Sequence, residues 1–233
     1  MEKKANIFAY ILYYTLILSV LVASSYGIST AATVMAQITP VDGRTCIIID
    51  AGHGGVDGGT TSCTGILESQ INLQISLRLD DLLHLLGYET KMIRTTDVSV
   101  YTEGESIAAK KVSDLKNRVK TVNETENAVL ISIHQNYFDD GRYSGAQVFY
   151  NKEGNLLSKE LQRELISTLD SSNTRQAKMS SGIYLMEKVS CPAALIECGF
   201  LSNPEEEAKL RDPIYQKKLC SVIACVISRY LNT

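Results

Sequence analysis

Three short apolar runs, far apart in the chain, each end in a residue that can bind a metal or move a proton. They are Cys46-Ile-Ile-Ile-Asp-Ala-Gly-His53, Ala128-Val-Leu-Ile-Ser-Ile-His134 and Ala193-Ala-Leu-Ile-Glu197. β-branched runs of this length, bounded by turn residues, read as buried strands of a parallel sheet. In open α/β sheets, ligands bind beyond the carboxyl ends of the strands. The pattern therefore predicts two imidazoles and a carboxylate converging on one edge of one sheet, a set that suits a metal ion and a general base.

The segments between these runs support the same architecture. Leu67-Glu-Ser-Gln70 opens an amphipathic helix whose apolar face is read as Leu73, Leu77, Leu79, Leu82, Leu83 and Leu86, with Gly87 as its stop. A strand is predicted over 88–93, a polar helix over 105–125 and strands over 128–133 and 146–150. A helix over 155–169, a mobile polar loop over 171–181, strands over 183–186 and 193–197, and a helix over 213–231 complete the chain. Strands alternating with helices predict an α/β three-layer sandwich. Its central sheet is expected to be mostly parallel, with about six strands and helices on both faces. There is no internal repeat and no sign of a second domain.

The N-terminus is of another kind. Glu2-Lys3-Lys4 precedes an apolar run over 7–23, broken only by Thr15 and Ser19, and a small-residue stretch ends at Ala36. As a helix the run would span roughly 26 Å, slightly short of the ~30 Å hydrocarbon core. Residues 1–36 thus read as a cleaved signal peptide or an uncleaved signal anchor, and the lack of a sharp cleavage site favours the anchor. Residues 37–45, with Pro40, Asp42 and Gly43, read as a linker, and 46–233 as the catalytic domain. The domain is expected to be exported across the cytoplasmic membrane. The formal net charge of −3 shows no basic excess, which argues against a nucleic-acid partner. Six cysteines would suggest disulfides in an exported protein. Cys46, Cys198, Cys220 and Cys225 lie in or beside apolar runs, however, so buried free thiols are expected. No C-x-x-C pair supports a cysteine zinc site.

The chemistry centres on four residues. His53 follows the first strand in a glycine-rich turn, Glu68 opens the next helix, and His134 ends the third strand. Two imidazoles and a carboxylate with one position left open make a zinc site of the catalytic type. Glu197 is placed to act as general base and then acid. His84 sits mid-helix and is read as a surface or packing residue. Arg118 is read as an ion-paired surface residue, and Ser202 and Asn203 as caps of the next helix.

Asp50-Ala-Gly-His-Gly-Gly55, Glu68, Ser132-Ile-His-Gln-Asn136 and Glu197-Cys-Gly-Phe-Leu-Ser-Asn203 together resemble the zinc-dependent N-acetylmuramoyl-L-alanine amidases of the amidase-3 type. Arg94-Thr-Thr-Asp97 and Arg118 with Asn123 match as well. Asp57-Gly58-Gly59, Gln135 and Tyr137 depart from the commonest pattern without touching a proposed ligand. The resemblance implies Zn2+ held by His53, Glu68 and His134, with Glu197 catalytic. The implied reaction is hydrolysis of the amide between the lactyl group of muramic acid and L-alanine in peptidoglycan. Some members carry an occluding helix after the second histidine. Only eleven residues separate His134 from Ala146 here, so no such plug is expected. Control is then expected from the anchor or from a regulatory or localising partner protein. The minimal layout is similar to that of the germination-specific amidases of spore-formers. It implies stem-peptide removal for muramic δ-lactam formation in spore cortex, in the forespore intermembrane space or on the wall side. Two alternatives remain: a zinc peptidase or carboxypeptidase using Arg94, Arg118 or Arg142 for a terminal carboxylate, and a non-catalytic wall-binding scaffold.

Overall fold

The computed structural model describes residues 45–232. The predicted signal or anchor, 1–36, lies outside the described residues, as does the linker up to residue 44. Among the described residues no helix is long and apolar enough to cross a membrane.

The elements run β1 (Cys46–Ala51), α1 (Glu68–Leu85), β2 (Glu89–Met92), α2 (Ile107–Asn123), β3 (Ala128–Asn136) and β4 (Gln147–Tyr150). They continue with α3 (Asn155–Leu169), β5 (Lys178–Met179), α4 (Tyr184–Lys188), β6 (Ala193–Phe200), α5 (Pro204–Arg211) and α6 (Pro213–Leu231). The strands form one six-stranded sheet in the order β2-β1-β3-β6-β4-β5. β2, β1, β3 and β6 are mutually parallel, and β4 pairs antiparallel with β6. The expected three-layer α/β sandwich is thus present.

Side chains alternate across a strand, and here that alternation sorts the core into two layers. Ile47, Ile49, Val129, Ile131, Ile133, Ala194 and Ile196 pack with α1, α3 and α6 in one cluster. Cys46, Ile48, Leu130, Ala193 and Leu195 pack with Val122 of α2 and with Leu185 and Met186 of α4 in the other. α1 turns Ile71, Ile75, Leu79 and Leu83 inward, an i,i+4 row. The leucine set read from the sequence shares only Leu79 and Leu83 with that fully buried row.

Two short elements differ from expectation. Residues 183–186, read as a strand, contribute instead to the helical turn α4, where Leu185 and Met186 fill the smaller core cluster. A two-residue strand, β5, lies in the segment read as a mobile loop, paired with β4. Residues 137–146 contain no helix, in line with the expected absence of a plug. α5 is capped by Asn203, whose side chain accepts from the backbone of Glu205 and Glu206. Ser202 does not share that role: its hydroxyl accepts from the Phe138 N–H at 3.2 Å. All six cysteines are free, but Cys63 and Cys225 are exposed, so the buried-thiol expectation fails at Cys225.

Candidate active site

The parallel registry of β3 and β6 sets His134 directly opposite Glu197. The β1–β3 registry sets Asp50 opposite Ser132. Asp50 and His134 lie near the carboxyl ends of their strands, and Ser132 and Glu197 at the middle of theirs. Asp50, His134 and Glu197 line one cleft of about 320 Å3, which Lys111 and Leu115 of α2 and residues 182–185 also line.

Glu68 occupies the centre of the cluster. Its Oε1 is 3.1 Å from His134 Nδ1, and its Oε2 is 3.4 Å from His53 Nε2. The two imidazoles meet edge to face at 5.0 Å. One donor atom each from His53, Glu68 and His134 can be chosen so that all lie within 4.8 Å of one another, a set that can hold a metal ion. Two imidazole nitrogens and a carboxylate oxygen are the donor types of an open zinc site. Burial pushes the Glu68 carboxyl up, but the His134 hydrogen bond, both imidazole charges and the Thr60 N–H outweigh it and hold the group at about 2. Glu68 is therefore an anion throughout the neutral range. Burial also opposes charge on His134, and the Glu68 hydrogen bond together with Glu68, Glu197 and Asp50 overcomes it and raises the imidazole pKa.

A second set of groups orients these three. Asp57 Oδ2 lies 2.9 Å from His53 Nδ1, which fixes the tautomer that presents Nε2 to Glu68. Asn72, one turn after Glu68 on α1, donates to Glu68 Oε1 and to the Gly52 carbonyl. The Gln135 N–H donates to the same carboxylate oxygen, and the Thr60 N–H to the other. Two glycines make room. A Cβ on Gly52 would lie 2.2 Å from His134 Nε2, and one on Gly59, at φ +70°, would lie 2.6 Å from Glu68 Oε2.

The turn carrying His53 is held from beneath by two buried arginines. His53 itself has φ 60°, an uncommon value for a residue with a side chain. Arg118 donates to the Ala51 and His53 carbonyls, and pairs with Asp50 and Asp114. Arg94 donates to the carbonyls of Ala51, Gly52, Ser69 and Thr96. The sequence reading of Arg118 as a surface residue is thus corrected: it is 2% exposed. Asp50 completes the network, accepting from the Ser132 hydroxyl at 2.6 Å. Burial pushes Asp50 up, but the Arg118 charge, together with His134 and Ser132, holds it below the usual carboxylate range.

Glu197 stands apart from these hydrogen bonds. Its Oε2 is buried and has no partner within the protein. Burial, opposed by the His134 charge and reinforced by Glu68, raises its pKa to about 7. A half-buried carboxyl with a raised pKa beside the His134 imidazole can accept and return a proton. His84 takes no part: it is exposed on α1 beside Asp80.

The sequence reading singled out His53, Glu68, His134 and Glu197; the fold brings the first three together and sets Glu197 opposite His134. It missed Asp57, Asn72, Asp50 and Lys111. Two of these carried a local signal. Asn72 lies four residues after Glu68 on one helix face, and Asp57 four residues after His53 within a glycine-rich turn. Asp50 entered only as part of the matched motif, and Lys111, whose Nζ lies 3.2 Å from Asp57 Oδ2, carried no signal, because both pairings depend on long-range packing.

A mostly parallel α/β sandwich that gathers imidazoles and carboxylates in a cleft beyond its central strands has the frame of an amide hydrolase. The family model for N-acetylmuramoyl-L-alanine amidases matches residues 47–229, and the chain belongs to that family. It is a peptidoglycan amidase, as its relatives also indicate. The germination-specific N-acetylmuramoyl-L-alanine amidase of Bacillus subtilis is 37% identical over 100% of this chain and 97% of that protein. The probable cell wall amidase LytH of Staphylococcus epidermidis is 26% identical over 83% of this chain, which spans 60% of that protein. Among solved structures, the CwlD amidase from Clostridioides difficile, in complex with the GerS lipoprotein, superposes with a TM-score of 0.77. It is 38% identical and covers 80% of this chain and 98% of its own.

Proposed function

We propose that this chain is a zinc-dependent amidase that cuts the bond between N-acetylmuramic acid and L-alanine in spore cortex, with His53, Glu68 and His134 as metal ligands and Glu197 as proton carrier. The observation that carries the site assignment is the meeting of three ligand types within 4.8 Å while Glu197 faces His134 across the β3–β6 pair. Zinc, when bound, supplies Lewis acidity: it polarises the amide carbonyl and acidifies a water. Asp57 keeps His53 in the ligating tautomer, and the Asn72, Gln135 and Thr60 donors hold the Glu68 carboxylate in place. Glu197 takes the proton of the attacking water and delivers it to the leaving nitrogen of L-alanine. Burial favours the protonated form of its carboxyl, which suits it to hold the proton between the two steps.

The cortex role, and with it stem-peptide removal for δ-lactam formation, is supported by full-length similarity to a germination-specific amidase. Export through the N-terminal segment, and control by a partner protein, belong to the same reading. A related enzyme with a bound lipoprotein supports the partner. The peptidase alternative loses its carboxylate-binding candidates. Arg94 and Arg118 are buried and committed to backbone carbonyls and carboxylates, and Arg142 is exposed and paired with Asp140. Metal analysis of the purified chain, with digestion of cortex peptidoglycan with and without added zinc, tests the proposal. Bound zinc and released whole stem peptides are expected. Absence of both with zinc supplied, or release of shortened stems alone, would sink it.

A further inference from the structure

The loop joining β3 to β4 leaves His134 by only two residues and carries three exposed aromatic side chains, Tyr137, Phe138 and Tyr143. Phe138 is 47% and Tyr143 46% exposed. Their rings meet at 5.0 Å, and both rest on the fully buried Phe200 at the end of β6, Tyr143 nearly parallel to it with an interplanar angle of 27°. The Arg175 guanidinium lies 4.9 Å from the Phe200 ring centre.

The loop is fixed in this arrangement. The Asn136 carbonyl accepts from the Leu201 N–H, the Ser202 hydroxyl from the Phe138 N–H, and the Tyr143 carbonyl from the Asn203 side chain. The Gly145 N–H reaches Glu206 Oε2, and Gly141 packs so closely on the Ser202 carbonyl that a Cβ there would lie 2.9 Å from it. An exposed apolar cluster held rigid in this way and rimmed by polar groups marks a binding surface. Here the rim is the Asp140–Arg142 pair.

We propose that Phe138 and Tyr143 form a sugar-stacking subsite that holds the glycan strand beside the reaction cleft. The inference rests on the cleft assignment under Proposed function. The substrate of the family is a polymer, and a cleft of about 320 Å3 holds the reacting amide with its immediate neighbours while the sugars run on past it. The platform lies further along the strands that carry the cleft residues, since β3 pairs His134 with Glu197 of β6 and, two residues on, Asn136 with Phe200. The C–H face of a pyranose is apolar and slightly positive, and it suits the negative face of an aromatic ring. Sugar hydroxyls beside that face suit charged rim groups such as Asp140 and Arg142. Ring surface locked in place before binding costs little further ordering.

Two measurements on the purified full chain test this. The first is titration with glycan strands stripped of stem peptides, which needs no catalysis. The second is the ratio of kcat/KM on intact peptidoglycan strands to that on a soluble muramoyl dipeptide. Phe138→Ala with Tyr143→Ala is expected to weaken strand binding about tenfold and to lower the ratio by a similar factor, as loss of one or two stacking contacts implies. Tyr143→Phe keeps the ring and is expected to retain both. The single change Phe138→Ala, at a half-exposed side chain, gives the same direction with less risk to folding. Equal strand binding by parent and double variant, an unchanged ratio, or a loss in Tyr143→Phe equal to that in the double variant would overturn the subsite. Glu197→Gln separates the two readings: if it still hydrolyses both substrates the cleft assignment fails, while strand binding continues to report on the platform.

Discussion

β1, β3 and β6 present two unlike faces. Towards α1, α3 and α6 they offer Ile47, Ile49, Ile131, Ile133 and Ile196, all fully buried against apolar partners. Towards α2 and α4 the same strands begin apolar with Ile48, Leu130 and Leu195, then turn polar further along with Asp50, Ser132, His134 and Glu197. The first face holds by non-directional burial and shape. The second holds by paired charges in a low dielectric, where a missing partner costs more than a missing methyl. A period of two residues lets one strand serve both purposes, with cohesion on one side and chemistry at the end of the other.

Substitutions on the two faces should differ in kind. The largest effect is expected at Glu197. Changing it to Gln should lower hydrolysis about a thousandfold, within the range for loss of a general base, while zinc content and melting temperature hold. Unaltered turnover would remove Glu197 from the mechanism. Arg118→Met comes next and should cost about 3–5 kcal/mol in urea unfolding at neutral pH, because it strands the Asp50 charge. The pH dependence has a definite sign. The folded pKa of Asp50 is lowered, so its pairing stabilises the parent above the unfolded value of about 4, and that contribution is lost as pH falls through the folded pKa. Without Arg118, burial raises the folded pKa of Asp50, so the deficit of Arg118→Met should shrink as pH falls from that raised value through the parent's lowered one, and a deficit independent of pH would refute the charge argument.

Neighbouring positions on β3 sharpen the contrast. Ser132→Ala removes a hydrogen bond to the buried Asp50 carboxylate and should cost about 2 kcal/mol. Ile131→Val, one residue earlier and on the other face, should cost about 1 kcal/mol. Equal costs, or a loss of zinc affinity in Ile131→Val, would blur the division. The smallest effect is expected outside both faces, at the helix cap. Asn203→Ala should lower stability by about 1 kcal/mol, read as a small fall in melting temperature.

The sequence made the first face and the ends of the second legible for one reason: continuous apolar runs announce central strands, and the polar residues closing each run must sit at the sheet edge. His53, His134 and Glu197 were singled out that way, and Glu68 as the carboxylate opening the helix after the first strand. Arg118 was not, because a polar residue on a polar helix looks the same in sequence whether it meets water or a buried aspartate. The exchange of α4 for a strand has a similar cause. Four residues ending in Leu185 and Met186 carry too little period to separate strand from helix, and packing under α2 decides. β5 is the converse, two exposed residues made a strand only by the edge of β4 that they pair with.

The strand order has a consequence for how the molecule comes into being. β6 is the last strand in the chain, yet it lies in the interior of the sheet, joining β2-β1-β3 to β4-β5. Until residues 193–200 arrive, the two parts of the sheet share no strand pairing, and the edge of β3 that carries His134 is open. Contacts closed over such sequence distances form late and slowly. A chain that ends before β6 carries His53, Glu68 and His134 but not Glu197, and lacks the strand that faces His134. The enzyme gains its cutting edge only when its final strand slides into the gap.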